Sequence, residues 1–373
     1  MRITEAHLYT KDLPIRGGAY TMAGQTITGA QTVILRLVGE AGLCGWGEVC
    51  PLGAAYAPVH AGGIIAALTE MMPTVIGCEA VPLSVADRLD RTMLGQNYAR
   101  AAIDIAVHDL LGRHLGVPVA TLLGGARRRR VPSYYALGLD PPDETARRAA
   151  EMVDAGYPRL QIKIGREDLA ADIATIRKVA ERVGPGIGPG IKFVADANRG
   201  LTQEAAILLS MATAGIAYSL EQPCDGLAAV AALRGRIAHP IILDESITDL
   251  GTGIRAIGDG LADGFGMKIT RLGGLRQAAV FRDLCAARDL PHTCDDSWGG
   301  DIIAAASVHL GVTVQPRLLA GVWVATGYQM AGYGAAGAGV QVRDGHLDLP
   351  DGPGLGITPD PDCFGAPIFS TGG

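Results

Sequence analysis

One ionisable residue recurs at near-constant spacing through the middle of the chain. Lys163, Asp196, Glu221, Asp244, Lys268 and Asp295 stand 33, 25, 23, 24 and 27 residues apart. Each lies late in a short apolar run, in LQIKIG, KFVADAN, AYSLEQP, PIILDES, GFGMKIT and LPHTCDDSW. The interval is about the length of one strand, one helix and two loops, so the pattern predicts repeated βα units. With VPSYYALG before them and GVTVQP after them, eight strand-like runs follow Val131, the strand count of a parallel barrel. Residues late in barrel strands gather at the C-terminal mouth, where barrel enzymes place their chemistry. All six are therefore expected to point into that mouth.

Three carboxylates from consecutive units would repel one another and could not all stay ionised without a counter-charge. A lone acid at a strand end often only caps the next helix. Three in a row between two lysines point instead to a hard divalent cation. Asp196, Glu221 and Asp244 offer oxygen alone, with no histidine or cysteine, which favours Mg2+ over Zn2+ or copper.

Lys163 lies one unit before this triad and Lys268 one unit after it. On a closed barrel they face each other, the geometry for removing a proton from one face of an α-carbon and returning it to the other. In FGMKITRLGG, Phe265, Met267 and Ile269 surround the Lys268 charge. Partial burial is expected to lower the lysine pKa toward neutrality, and the cation to stabilise an ene-diolate.

The first 127 residues read differently. QTVILRLVGE and GLCGWGEV flank a turn at 40–42, a hairpin signal, and three segments between Ile64 and Leu115 carry apolar residues at helical spacing. The expected organisation is an α+β capping unit over 1–127, the barrel over 128–325, and a Gly-rich C-terminal segment over 326–373 packing back on the cap. The net charge of −6 is dispersed, and the one dense basic run, Arg127 to Arg130, lacks aromatic interleaving and reads as a solvated linker. Nucleic acid is not an expected partner. No apolar stretch nears the roughly 20 residues needed to span a bilayer. A cytoplasmic enzyme with a small-molecule substrate is expected, assembled as a homo-oligomer. Seven scattered cysteines without C-x-x-C spacing read as reduced core thiols, and His292 and His309 as structural.

QIKIG, VADAN, LEQP, LDES, MKITRLGG and DDSWGGD, in this order, resemble the enolase superfamily, muconate lactonizing enzyme subgroup. The resemblance covers nearly the whole chain. It implies a modified TIM barrel, (β/α)7β, beneath an α+β cap built from the N-terminal part and the C-terminal tail. It also implies Mg2+ on Asp196, Glu221 and Asp244, acid/base roles for Lys163 and Lys268, and supporting roles for Asn198 and Asp296. The subgroup usually carries Lys-x-Lys on the second strand, whereas Gln161 stands here two residues before Lys163, on the same strand face. A second ammonium would depress the pKa of Lys163 by like-charge repulsion. A cationic substrate is expected to take over part of that role, so Gln161→Lys should turn over a cationic substrate more slowly than the parent.

Trp298 and Trp323 sit just past the seventh and eighth runs, and Tyr56 in the GAAYAPVH loop supplies a third candidate wall. Aromatic faces without a neighbouring acid suit a quaternary ammonium, at roughly 0.5–2 kcal/mol per ring. With LQIKIG, CDDSWGGD, GVW and LPDGPGLGITPD, the chain is similar to the proline betaine and 4-hydroxyproline betaine 2-epimerases of this subgroup. It lacks the Asp-x-Asp with which dipeptide epimerases hold a free ammonium. Gln at the first position of the strand-two motif and WGGD are shared with the cis-3-hydroxy-L-proline dehydratases, which remain the rival reading. Asp295 is an additional candidate substrate contact. Loops 15–30 and 50–60 are expected to set specificity. A non-catalytic sensor is disfavoured by the presence of all three acids and both lysines.

Overall fold

The computed structural model describes residues 1–184, 191–330, 332–334 and 339–373. Strands β1 (Ile3–Pro14), β4 (Gly29–Gly39) and β5 (Cys44–Val49) form an antiparallel sheet, with the short hairpin β2 (Tyr20–Met22) and β3 (Gln25–Ile27) leaving it between β1 and β4. Period-two alternation splits this sheet cleanly. Val33, Leu35 and Leu37 pack with helices α1 (Ala61–Val75), α2 (Pro82–Asp90) and α3 (Asn97–Leu115), while Ile34 and Trp46 join the barrel-side core. The expected hairpin forms with Val38 opposite Cys44.

Helix α3 lies against β5 so closely that glycine is required. A Cβ on Gly47 would stand 1.9 Å from the Ala102 carbonyl oxygen, and one on Gly45 2.2 Å from that of Ala106. Gly47→Ala must push two backbones apart and is expected to cost about 1–3 kcal/mol, read as a lower urea midpoint at unchanged slope.

After α4 (Val119–Leu122) and β6 (Arg130–Pro132), eight parallel strands follow in ring order: β7 (Tyr135–Leu137), β8 (Arg159–Lys163), β9 (Lys192–Asp196), β10 (Ser219–Glu221), β11 (Ile241–Leu243), β12 (Gly264–Lys268), β13 (His292–Asp295) and β14 (Leu319–Gly321). Helices α5 (Pro142–Asp154), α6 (Leu169–Val183), α7 (Gln203–Ala212), α8 (Gly226–Ala231), α9 (Leu250–Gly258), the pair α10 (Ile269–Leu272) and α11 (Leu275–Ala287), and α12 (Asp301–Gly311) make the seven crossovers. A parallel bridge between Ser133 and Val322 joins the two ends, with Ser133 Oγ donating to the Val322 carbonyl at 2.8 Å. The fold is a (β/α)7β barrel under an α+β cap.

Four expectations change in detail. The eighth strand is Leu319–Gly321 rather than GVTVQP, because the α12 hydrogen-bond ladder runs on through Val312, whose amide bonds the Val308 carbonyl. The Arg127–Arg130 run is no linker, since Arg130 opens β6, Arg127 Nε donates to the Thr313 carbonyl at 3.1 Å, and Arg129 pairs with Asp351. The C-terminal segment divides its contacts: β15 (Val342–Arg343) and β16 (His346–Asp348) extend β6, while β17 (Phe369–Gly372) adds to β1 of the cap, the Leu355 amide donates to Asp109 at 2.7 Å and Phe364 packs on Tyr9 and Trp46. All seven cysteines are unpaired, but Cys44, Cys78 and Cys363 are half-buried rather than in the core.

Cap and barrel meet through Glu48 of β5, which is fully buried. Its carboxylate accepts from the Gly300 and Ile303 amides at 2.7 and 3.1 Å, capping α12, and from Thr32 Oγ1 and the Tyr333 hydroxyl at 2.7 and 2.5 Å. Among the described residues no helix is long and apolar enough to cross a membrane.

Candidate active site

Lys163, Asp196, Glu221, Lys268 and Asp295 are each the last residue of their strand, and Asp244 follows β11 directly. Position is thus set by strand length, and burial follows: Lys163, Asp196, Glu221 and Asp244 are all buried. Lys163 ends the second barrel strand and Lys268 the sixth, four strands apart in a ring of eight and so on opposite sides of the mouth. Lys163, Asp196, Asp244, Lys268 and Gln161 line one cavity with Tyr20, Tyr134, Asp296, Trp298 and Trp323.

The charges interlock. Lys163 Nζ donates to Asp196 Oδ2 at 2.5 Å, and Lys268 Nζ stands 3.6 Å from Asp244 Oδ2. Arg271 Nη1 donates to Asp244 Oδ1 at 2.7 Å and to its carbonyl at 2.5 Å. Gln161 Nε2 donates to Glu221 Oε2 at 3.0 Å. The Asn198 side-chain amide bridges Asp196 Oδ2 and Glu245 Oε1, at 3.2 and 2.9 Å.

Burial pushes the Glu221 carboxyl up to about 8, with Asp196 and Asp244 acting the same way. Burial, then Asp244 and Asp196, push Glu245 up to about 7. Asp244 is held below its usual range: burial opposes this, but Lys268 and Arg271 outweigh it. Burial would likewise pull Lys163 down, yet Asp196, Tyr20 and Glu221 hold it above the ordinary lysine value. Lys268 behaves alike through Asp244 and Asp295. The expectation that burial alone brings the lysines toward neutrality is therefore corrected, because the same carboxylates that would hold a cation stabilise both ammoniums. Only when those oxygens are otherwise engaged does desolvation dominate.

Among the described residues no three His, Cys, Asp or Glu side chains already converge as a metal cluster, since the carboxylates are turned onto Lys163, Gln161 and Arg271. The donor chemistry nonetheless fits Mg2+. Three buried carboxylates share one mouth, and Glu245 Oε2 and Asn198 Oδ1 are buried without a partner beside them. A Cβ on Gly266 would stand 3.2 Å from both Asp244 Cγ and Glu221 Oε1, so glycine leaves the room that these carboxylates use.

The outlying candidates fare differently. Asp295 is not a wall of the cavity: its oxygens accept from the Tyr134 hydroxyl at 2.9 Å, the Trp323 amide at 2.8 Å and Thr293 Oγ1, which leaves it anchoring Trp323 rather than a substrate. Tyr56 does line the cavity, but its hydroxyl donates to Asp244 Oδ2 at 3.2 Å, with Arg271 Nη2 3.2 Å away, so it braces a carboxylate instead of offering an open ring face. Asp296 caps α10, accepting from the Thr270 amide at 3.1 Å and Thr270 Oγ1 at 2.7 Å, and also faces the cavity. Trp298 and Trp323 lie together, ring centroids 5.5 Å apart. His292 and His309 are buried, and burial pushes both down to about 4.

Tyr20, Tyr134, Glu245 and Arg271 were not anticipated. Glu245 and Arg271 stand inside the LDES and MKITRLGG motifs, one residue past Asp244 in the turn after β11 and three past Lys268 in α10. Tyr20 and Tyr134 carry no periodic signal.

Two family models match the chain: residues 3–124 the mandelate racemase / muconate lactonizing enzyme N-terminal domain, and residues 144–363 the enolase C-terminal domain-like family. The chain belongs to the enolase superfamily. A curated superfamily relative, the cis-3-hydroxy-L-proline dehydratase of Roseibium aggregatum, is 35% identical over 373 residues, 99% of each chain. The hydrophobic dipeptide epimerase of Enterococcus faecalis is 29% identical, covering 76% of this chain and 79% of its own. A mandelate racemase/muconate lactonizing enzyme of Roseovarius nubinhibens, solved in complex with magnesium, superposes with a TM-score of 0.94 at 32% identity and covers all of both chains.

Proposed function

We propose that this superfamily member is a Mg2+-dependent dehydratase of cis-3-hydroxy-L-proline or a close ring analogue. The observation that carries the reading is the placement of Lys163 and Lys268 four strands apart across one cavity. In the cis isomer the 3-hydroxyl shares a ring face with the carboxylate, so the C2 hydrogen projects from the other face. One lysine, as the free amine, takes the C2 proton while the other, as the ammonium, protonates the departing hydroxyl. The C2–H and C3–O bonds break, a C2=C3 bond forms, and water leaves. A Mg2+ ion held by Asp196, Glu221 and Asp244 supplies positive charge where the substrate carboxylate gains electron density.

The relative from Roseibium aggregatum supports the same reading by its full-length likeness. So does Asp296, which puts an acid in the cavity beside Trp298 and Trp323, where a ring ammonium can donate a hydrogen bond to it and a quaternary one cannot. This changes the premise of aromatic faces without a neighbouring acid. Epimerisation of proline betaine or 4-hydroxyproline betaine is the second reading, carried by the paired Trp298 and Trp323 rings, and it would use the same lysines to remove and return the C2 proton.

Proton NMR in D2O with Mg2+ separates the two. Loss of water from cis-3-hydroxy-L-proline, with none from the trans isomer, whose hydroxyl and C2 hydrogen share a face, is the expected result. Inversion at C2 of a betaine without dehydration would replace the first reading by the second, and inertness of all these compounds would remove both.

A further inference from the structure

The β2–β3 hairpin of the cap reaches into the barrel mouth. The Leu139 amide donates to the Thr21 carbonyl at 2.9 Å, and the Ala23 methyl is so close to the loops after β8 and β9 that a Cβ on Gly165 or Gly200 would stand 3.0 Å from it. This seating fixes Tyr20, whose ring packs on Trp298 and Tyr328 at centroid distances of 5.8 and 5.9 Å. Tyr20 is only 8% exposed and lines the cavity that holds both lysines. Among the described residues its hydroxyl has no hydrogen-bond partner, whereas Tyr56 and Tyr134 in the same cavity spend theirs on Asp244 and Asp295. The phenol is held by aromatic neighbours in the cavity wall, and with no protein partner among the described residues its hydroxyl is free to pair with a ligand there.

We propose that Tyr20 is a specificity-determining residue that donates its hydroxyl proton in a hydrogen bond to the ring hydroxyl of the substrate. The inference rests on the reading above and deepens it. Among the acceptors of a hydroxyproline, the carboxylate is the group that a cation held by Asp196, Glu221 and Asp244 would engage, and the ring ammonium can only donate. The ring hydroxyl has two lone pairs, one for the lysine ammonium and one open to a donor delivered by the cap. Burial pushes the phenol up to about 12, keeping it neutral and a donor throughout the working pH range. A site with a buried donor aimed at a hydroxyl also rejects the analogue that lacks it, because the donor is then desolvated and unpaired.

The test compares C2 hydrogen exchange in D2O, with Mg2+, for cis-3-hydroxy-L-proline and L-proline, in the parent protein and in Tyr20→Phe. The parent is expected to favour the hydroxylated ring, and Tyr20→Phe to reduce the ratio of the two kcat/KM values about 10- to 100-fold. Calorimetric Mg2+ affinity within a factor of about two of the parent shows that the variant keeps its folded site. A ratio unchanged by the substitution, whether or not both rates fall, would overturn the role of Tyr20 while leaving the dehydratase reading intact. A parent that neither dehydrates cis-3-hydroxy-L-proline nor exchanges the C2 hydrogen of either compound would overturn the dehydratase reading and the Tyr20 proposal together.

Discussion

Alanine at Lys163 and alanine at Lys268 are expected to disable the enzyme in two distinguishable ways. On the proposed mechanism each removes a group that transfers a proton in the transition state, so dehydration should fall by about 10²- to 10⁴-fold in either variant. The variant that lacks the base also loses C2 hydrogen exchange. The variant that lacks the acid keeps exchange, because the proton can still come and go on the base's face while the hydroxyl stays. For a betaine epimerase the split takes another form, with each variant losing exchange from one C2 enantiomer only. Identical behaviour of the two variants on every substrate would contradict lysines that act on opposite faces, whatever the substrate. The measurement is deuterium incorporation at C2 followed beside product formation.

Chelation is expected to make the protein's stability depend steeply on pH. Glu221 and Glu245, pushed up to about 8 and about 7 from an ordinary 4.5, bind protons more tightly in the folded than in the unfolded chain. Between the ordinary value and the folded one the native state holds more protons, so stability is full below about pH 4.5 for these groups and is lost as pH rises through the folded values. In EDTA the unfolding free energy should therefore fall from about pH 5 to about pH 8. Saturating Mg2+ takes up the same negative charge and should flatten that slope, adding about 2.7 kcal/mol at a hundredfold excess over Kd. Glu221→Gln should remove much of the slope and most of the Mg2+ effect. Superimposable EDTA and Mg2+ stability curves across the range would argue that these carboxylates hold no cation.

The unequal legibility of the site follows from which residues answer to a period. Strand-end residues recur with the βα unit, so Lys163, Asp196, Glu221, Asp244 and Lys268 could be picked out together, and a single parallel sheet placed them in one mouth. Asp295 obeys the same spacing, yet the adjacent Trp323 amide and Tyr134 hydroxyl draw its oxygens away from the cavity. Spacing gives the end of the strand but not the rotamer. Tyr56 was placed at the site by its loop, while the role of its hydroxyl depended on Arg271 and Asp244, from segments roughly two hundred residues away. The pKa directions of the lysines were beyond sequence for a similar reason. Desolvation and ion pairing oppose each other, and only the 2.5 Å and 3.6 Å separations from Asp196 and Asp244 decide which prevails.

By itself the sequence determined the barrel, the capping unit and the set of charged groups at the mouth, because hydrophobic periodicity and strand-end spacing are local properties of the chain. Tertiary structure alone decided which of those groups face the cavity, which brace one another, and that Tyr20 descends from the cap with an unpartnered hydroxyl. Those features depend on contacts between segments far apart in the chain, where packing and hydrogen-bond competition, rather than any repeat in the sequence, fix the direction of each side chain.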